Sequence, residues 1–137
     1  VAVGARWPGL SVTMADVNRR ACDLARENAR RNGVRAEVME SDGYMALTGR
    51  RFATILQNPP IRAGKAVIYR MFADGAASLL PGGRLWLVIR KQQGAPSAMN
   101  YLATLFDEVA VVEKKSGYWV LRCAAPHQDT EEDTKDV

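Results

Sequence analysis

Polar residues follow three short apolar runs of the sequence, at positions where they could do chemistry. Asp16 ends the first run, and Asp42 follows Ser41 at the end of the second. A carboxylate at a strand end can accept hydrogen bonds from the two hydroxyls of a ribose. A carboxylate beside a free backbone N–H, as at Asp42, matches the donor and acceptor edge of an adenine. Each residue could instead have a purely structural role. Asp16 would then interact with the dipole at the start of a helix, and Asp42 would form an Asp-Gly turn.

The third apolar run ends in Asn58-Pro59-Pro60. The two prolines remove two backbone donors and fix the chain in an extended path. The amide oxygen of Asn58 and the carbonyl of Pro59 therefore form a rigid pair of acceptors, which suits an exocyclic amine with its two N–H groups. A proline turn that ends a strand is the alternative. We favour a functional role because Asp16 and Asp42 occupy matching strand ends.

The elements that must position these residues alternate between strands and helices. Asn18 is predicted to cap the first helix, Pro81-Gly82-Gly83 to end the second, and Ser116-Gly117 to turn a hairpin. The sequence therefore predicts an α/β fold with a mostly parallel sheet, a C-terminal antiparallel hairpin and helices on both faces. The predicted strands span 10–15, 34–40, 52–57, 84–90, 109–113 and 118–123, and the predicted helices 19–32, 64–80 and 97–106.

The composition limits the function classes. The 137 residues are 47% hydrophobic and 25% charged, as in a globular domain. We expect no membrane span and no secretory signal. His127 is the one histidine, so histidine-based catalysis and a His-rich metal site are not expected. Cys22 and Cys123 lie in apolar patterns far apart, which predicts buried free thiols, no metal site and a cytoplasmic location.

The charge is uneven along the chain. Residues 126–137 carry five acids and one base, whereas the rest carries 18 bases and ten acids. The basic body favours a polyanionic partner, RNA or DNA, although a basic protein without such a partner is the alternative. Residues 1–125 are predicted to form one domain and residues 126–137 a disordered acidic tail.

Taken together, the motifs resemble those of the class I S-adenosylmethionine-dependent methyltransferases. The resemblance covers about 1–123. The longer run 58–65 is similar to the "methyltransferase small" group, which includes ribosomal small-subunit guanine-N2 methyltransferases. The matching segments are Asp16-Val17-Asn18, Asn32-Gly33, Ser41-Asp42-Gly43, Asn58-Pro59-Pro60-Ile61-Arg62-Ala63-Gly64-Lys65, Gln93-Gly94-Ala95 and Lys115-Ser116-Gly117-Tyr118.

The resemblance implies a Rossmann-like, seven-stranded sheet of order 3-2-1-4-5-7-6 and the cofactor S-adenosyl-L-methionine. Asp16 and Val17 would hold the cofactor ribose, and Asp42 and Gly43 would approach its adenine. Asn58 would border both cofactor and substrate. The family's first strand and Gly-rich loop are expected to be missing from this chain, which looks truncated at its N-terminus.

The resemblance also implies the chemistry and the partner. Asn58, Pro59 and Pro60 would orient the target amine toward the methyl group, with no strong base required, because proximity and alignment do most of the work. The implied substrate is guanine N2 of ribosomal RNA or the small ribosomal subunit. Ile61 would lie against the substrate. Arg62 and Lys65 would contact phosphates or, alternatively, form a solvated loop and helix start.

Two alternatives stay open at this point. A protein-glutamine N5 methyltransferase uses the same amine chemistry, although its relatives usually carry Tyr where this chain has Ile61. A non-catalytic RNA-binding module that has lost cofactor binding would fit the missing Gly-rich loop. Without the first strand, the strands ending at Asp16 and Asn58 would have open edges, so we also expect the isolated chain to self-associate or be poorly stable and to bind cofactor very weakly.

Overall fold

A computed structural model describes residues 12–59 and 63–127 of the chain. The chain divides into two compact units, Val1–Thr48 and Gly49–Val137. The start of the first predicted strand, the predicted site residues Pro60, Ile61 and Arg62, and the tail from residue 128 lie outside the described residues. The prediction of one domain followed by an acidic tail stays a prediction.

The described part of the first unit contains two parallel strands joined by a helix. Asn18 caps the helix as predicted, because its side chain accepts a hydrogen bond from the Ala21 N–H at 3.1 Å. The arginines face outward, whereas Cys22 and Ala29 are buried. The elements are β1 (Val12–Asp16), α1 (Arg19–Arg31) and β2 (Ala36–Glu40), followed by a 3₁₀ turn at Met45–Leu47.

The described part of the second unit contains a four-stranded sheet and two α-helices. Its strand order is β3-β4-β6-β5, with β3 parallel to β4 and the other neighbours antiparallel. A 3₁₀ turn at Lys91–Gln93 links β4 to α3. The elements are β3 (Phe52–Gln57), α2 (Lys65–Ala77), β4 (Leu79–Arg90), α3 (Ala95–Leu102), β5 (Phe106–Lys115) and β6 (Tyr118–Pro126).

The strand neighbours agree with the implied sheet order. In that order, strands two and three are adjacent, and strands four, five, seven and six follow one another. Because the family's first strand is expected to be missing, β1 and β2 correspond to strands two and three of that order. Likewise, β3, β4, β6 and β5 correspond to its strands four, five, seven and six. The α/β fold and the C-terminal antiparallel hairpin are therefore confirmed.

One apolar cluster lies between the sheet of the second unit and its two helices. Both α2 and α3 pack on the same face, and Phe72 and Leu102 are fully buried there. The alternating strand residues of that face come from all four strands. The buried members of the cluster are Ile68, Phe72, Leu79, Leu85, Leu87, Ile89, Ala95, Ala98, Leu102, Phe106, Leu121 and Cys123.

The second predicted helix is shorter than the sequence indicates. It ends at Ala77, and Leu79 begins β4 opposite Phe52. The Phe52 N–H donates to the carbonyl of Ser78 at 2.7 Å, so the chain from Leu79 onward belongs to the sheet and not to the helix. Pro81-Gly82-Gly83 therefore forms a bulge inside β4 rather than a turn before it, because the pairing resumes at Thr54 opposite Arg84.

A glycine is required within this bulge. A Cβ atom on Gly83 would lie 2.9 Å from the backbone oxygens of Ala53 and Leu80, closer than real contacts allow. Gly82 has a φ of 79°, in the left-handed region that favours glycine. The apolar spacing of residues 64–80 gives no indication of this close backbone contact, so the predicted end of the second helix at residue 80 is wrong.

The C-terminal part of the described residues, up to His127, also differs from the prediction. The third helix ends at Leu102 rather than residue 106, and Phe106 starts β5 opposite Pro126. Pro126 is therefore part of β6, and the His127 N–H donates to the carbonyl of Leu105 at 2.8 Å. The Nε2 atom of His127 lies 2.6 Å from Asp107 Oδ1. The prediction of disorder from residue 126 is wrong for these two positions.

The predicted hairpin turn and thiols are confirmed. Ser116 and Gly117 both have positive φ, 52° and 81°, which is the conformation of a two-residue hairpin turn. Cys22 and Cys123 are buried free thiols. Burial raises the pKa of Cys123 to about 12, so this thiol stays protonated and unreactive at neutral pH.

Candidate active site

The first unit presents two carboxylates at one edge of its sheet. Strands β1 and β2 are parallel and in register, with Asp16 opposite Glu40. The Ser41 N–H extends this pairing, because it donates to the carbonyl of Asp16 at 2.9 Å. Asp16 is therefore the last residue of β1 and Asp42 lies just after the end of the neighbouring β2, as the sequence predicts, and both residues are exposed.

Asp16 is held in a fixed orientation. Its Oδ1 atom accepts a hydrogen bond from the Asn18 N–H at 2.8 Å. The buried thiol of Cys22 lies 3.4 Å from the backbone oxygens of both Asp16 and Met39, which ties the helix to both strand ends. Since a carboxylate has about four acceptor positions, the bond from Asn18 orients the group and leaves capacity for two ribose hydroxyls.

The loop that carries Asp42 is folded around the hydroxyl of Ser41. Ser41 is 6% exposed. Its Oγ donates to the Gly43 carbonyl at 2.8 Å and accepts from the Ala46 N–H at 3.0 Å. Gly43 has a φ of 59°, so this loop needs the left-handed conformation that glycine adopts readily. The loop therefore projects the Asp42 carboxylate into solvent from a fixed backbone.

Exposed apolar side chains accompany these carboxylates. Val17, which follows Asp16 directly, is 66% exposed, and Met45 in the loop after Asp42 is 70% exposed. An adenosine group needs both kinds of neighbour, because its ribose is polar and its base has apolar faces. The hydrogen-bond acceptors and exposed apolar side chains of the first unit thus fit the adenosine part of a nucleoside cofactor. Met45 was missed by the sequence interpretation, since nothing in its local pattern distinguishes it from a core methionine.

The second unit places Asn58 and Pro59, the predicted acceptor pair, directly after β3. Gln57 pairs with Leu87 and is 8% exposed, Asn58 is exposed, and Pro59 is buried. The Asn58 side chain therefore extends into solvent from a backbone that is anchored on both sides. This arrangement is what an acceptor needs if it is to hold an incoming amine. Gln57, a buried polar residue next to the motif, was not singled out from the sequence.

Lys65 lies at the first position of α2, after the motif and its following loop. Its side chain is exposed, and Nζ lies 5.4 Å from the centroid of the Tyr69 ring. Its predicted contact with phosphate stays a prediction. So do the roles of Ile61, Arg62 and Pro60, which lie outside the described residues.

No membrane-spanning candidate is found among the helices of the described ranges. Within the same ranges, no group of three or more His, Cys, Asp or Glu side chains is arranged to hold a metal ion.

The strand orders, the parallel β3-β4 pair and the closing hairpin define a Rossmann-like methyltransferase fold. A sequence profile described as Methyltransferase small domain matches residues 1–122. The chain therefore belongs to the methyltransferase small domain family.

Relatives of known sequence are longer than this chain. The protein YbxB of Bacillus subtilis (strain 168), described as uncharacterized, is 47% identical over 114 residues, which cover 82% of this chain and 57% of YbxB. The ribosomal RNA small subunit methyltransferase C of Chromohalobacter salexigens is 33% identical over 108 residues, which cover 76% of this chain and 31% of that enzyme. The chain thus spans little more than half of one relative and about a third of the other.

Solved structures share the fold. The Thermus thermophilus 16S rRNA N2 G1207 methyltransferase RsmC, solved with AdoMet and guanosine, superposes with a TM-score of 0.75 at 26% identity, over 85% of this chain and 32% of that protein. A methyltransferase from Pyrococcus furiosus superposes with a TM-score of 0.73 at 18% identity, over 90% of this chain and 68% of that protein. The second similarity concerns the fold alone.

Proposed function

We propose that this chain is the catalytic part of an S-adenosyl-L-methionine-dependent N-methyltransferase that modifies an exocyclic amine of ribosomal RNA, most specifically guanine N2. The observation that carries the proposal is the position of Asn58 directly after β3, where it is exposed between the buried residues Gln57 and Pro59. Membership of the methyltransferase small domain family supports the reaction class. The names of the relatives and of the Thermus structure support the RNA substrate.

The cofactor would be held by the first unit. Asp16 would accept hydrogen bonds from its ribose hydroxyls, with Val17 against the apolar side of the nucleoside. Asp42 and Gly43 would approach the adenine from the loop folded around Ser41. When bound, the cofactor supplies an electrophilic methyl group on a sulfonium.

The residues of the second unit would orient the amine. The oxygens of Asn58 and Pro59 would accept hydrogen bonds from the two N–H groups of the exocyclic amine, and this would turn its lone pair toward the methyl group. Once the C–N bond has formed, the positively charged nitrogen is acidic and releases its proton to water, so a strong base is not needed beforehand. Alignment of the reacting atoms supplies most of the rate enhancement in such a site.

The charge distribution supports RNA as the partner. The body of the chain carries 18 bases against ten acids, and phosphate contacts dominate the affinity of proteins for nucleic acid. Lys65 and Arg62 would contact the backbone next to the target nucleotide. The proposed substrate is therefore ribosomal RNA or the small ribosomal subunit, and the proposed location is the cytoplasm.

Product identification tests the proposed function. The full-length protein is incubated with S-adenosyl-L-methionine and with small ribosomal subunits from a strain that lacks guanine-N2 methylation, and the RNA is digested to nucleosides for mass spectrometry. We expect N2-methylguanosine, and we expect it to disappear with Asn58→Ala but not with Asn100→Ala, an exposed asparagine of α3. Methylation of a glutamine side chain instead, or of no substrate at all, would refute the RNA assignment.

A further inference from the structure

The second unit contains a cavity that the proposed reaction does not use. It has a volume of about 180 Å³ and lies between the first turns of α2 and α3. Both helices follow parallel-strand ends, β3 and β4, so the cavity opens at the same sheet edge as Asn58. Neither Asn58 nor Pro59 lines it. A group held in this cavity is therefore different from the amine that these two residues orient.

The interior of the cavity is apolar and has one aromatic wall. Its floor is formed by Ile68, Ile89 and Ala98, all of which are buried members of the core cluster. The wall is formed by Tyr69, whose ring stacks on Tyr101 with centroids 4.2 Å apart and planes 11° apart. The stacking fixes the orientation of the Tyr69 ring, so the wall exists before any ligand binds.

The rim of the cavity is polar. Lys65, Gln93 and Ser97 are exposed side chains at its mouth. Gln93 and Ser97 both donate and accept hydrogen bonds, whereas Lys65 carries a positive charge. No acidic side chain is present among the described residues that line the cavity. This combination fits a flat ligand with apolar faces, a polar edge and a nearby negative charge.

We infer that the cavity binds the base of a second nucleotide, one that neighbours the methylated nucleotide in the same RNA strand. Its base contacts the Tyr69 ring and the apolar floor, its edge bonds to Gln93 and Ser97, and its phosphate lies near Lys65. Single-stranded RNA is commonly recognised by unstacked bases held in this way. The inference deepens the proposed function and rests on it for the identity of the ligand as RNA.

Nuclear magnetic resonance of the chain itself tests binding without any enzymatic activity. Guanosine 5′-monophosphate, uridine 5′-monophosphate and ribose 5-phosphate are titrated separately into ¹⁵N-labelled protein. We expect saturable shifts of the Gly94 and Ser97 amides with at least one of the two nucleotides and none with ribose 5-phosphate. Equal shifts with ribose 5-phosphate would reduce the site to phosphate attraction by Lys65, and unshifted amides would exclude the site; either result overturns the inference.

Variants with a matched control connect the cavity to the substrate. Removing the edge contacts with Gln93→Ala and Ser97→Ala together is expected to weaken nucleotide binding about ten-fold, the order of two lost hydrogen bonds. Gln92→Ala is the control, because Gln92 is an exposed neighbour that does not line the cavity. Equal effects of the control and the double variant would overturn the assignment. If the double variant does not fold, Ser97→Phe, which obstructs the mouth, serves the same purpose.

Methyl transfer separates this inference from the proposed function. In the full-length protein, the double variant is expected to lower kcat/KM for an RNA oligonucleotide about ten-fold while leaving transfer to free guanosine unchanged, because guanosine has no neighbouring nucleotide. An unchanged kcat/KM for the oligonucleotide would overturn the inference alone. An absence of transfer to any RNA by the unsubstituted protein would refute the proposed function, and the nucleotide titration would still decide whether the cavity binds a base.

Discussion

In the second unit, twelve buried apolar residues form one cluster beneath the sheet, whereas the described part of the first unit buries Cys22, Ala29 and Leu47. The first unit instead fixes its shape through polar contacts, among them the hydroxyl of Ser41 and the cap at Asn18. The proposed amine site is thus built on a large core, and the proposed cofactor site is built on a small, hydrogen-bonded framework. Substitutions of the same size should affect the two units through different forces.

The largest expected effect is on the core of the second unit. Leu87→Ala removes a fully buried side chain from β4 and should lower the free energy of unfolding by about 2–5 kcal/mol, through lost burial and the cavity left behind. Leu80→Ala in the same strand is the control, because Leu80 is 42% exposed. Denaturant unfolding followed by circular dichroism measures both. A similar loss for the two variants would contradict the core described above.

The next largest effect concerns cofactor affinity in the first unit. Asp16→Ala removes the proposed acceptor of the ribose hydroxyls and should weaken S-adenosyl-L-methionine binding to the full-length protein by about 1–3 kcal/mol. Asp23→Ala is the control, because Asp23 is an exposed acid of α1 in an ion pair with Arg26. Isothermal titration calorimetry measures both affinities. An unchanged affinity for Asp16→Ala would remove this residue from the cofactor site.

Ser41→Ala tests whether polar contacts hold the first unit together. The change leaves the Ala46 N–H and the Gly43 carbonyl without their hydroxyl partner, which should cost about 1–3 kcal/mol of local stability. Hydrogen exchange of the amides between residues 41 and 47 reports this loss. Thr48→Ala removes an exposed hydroxyl of the same loop and should have a smaller effect. Equal protection in the two variants would show that Ser41 does not organise the loop.

The smallest expected effect is on association. Among the described residues of the second unit, β3 has one neighbouring strand, β4, and its Leu56 side chain is 68% exposed. Exposed apolar edge strands favour pairing between chains, and a lysine on such an edge opposes it. Leu56→Lys should therefore reduce self-association of the chain in sedimentation velocity, whereas Leu24→Lys, at a residue of α1 that is 64% exposed, should not. A chain that is monomeric before substitution would contradict this expectation.

Local patterns were sufficient for several elements. β3 coincides with its predicted bounds, because an apolar run ended by Asn-Pro-Pro leaves little choice of register or length. Asn18 and Ser116-Gly117 were predictable because a helix cap and a hairpin turn depend on a few neighbouring residues.

Features that depend on distant partners were not predictable. The early start of β4 depends on Phe52, which lies 27 residues before Leu79 and pairs with it. The placement of His127 depends on the carbonyl of Leu105 and on Asp107. The predicted positions of Asp16, Asp42 and Asn58 at strand ends are confirmed, whereas their roles stay predictions. The hydroxyl contacts of Ser41 and the cavity beside Tyr69 exist only once the chain is folded, so no sequence pattern indicates them.

The central claim is that Asn58 positions an amine and does not simply end a strand. Single-turnover methyl transfer and cofactor affinity of the full-length Asn58→Ala variant test it directly, with small ribosomal subunits as substrate. We expect transfer to fall by about 100-fold or more, as for a misaligned reacting group, while S-adenosyl-L-methionine affinity and the unfolding midpoint change little. Methyl transfer at nearly the rate of the unsubstituted protein would contradict the account and leave Asn58-Pro59-Pro60 as a structural turn.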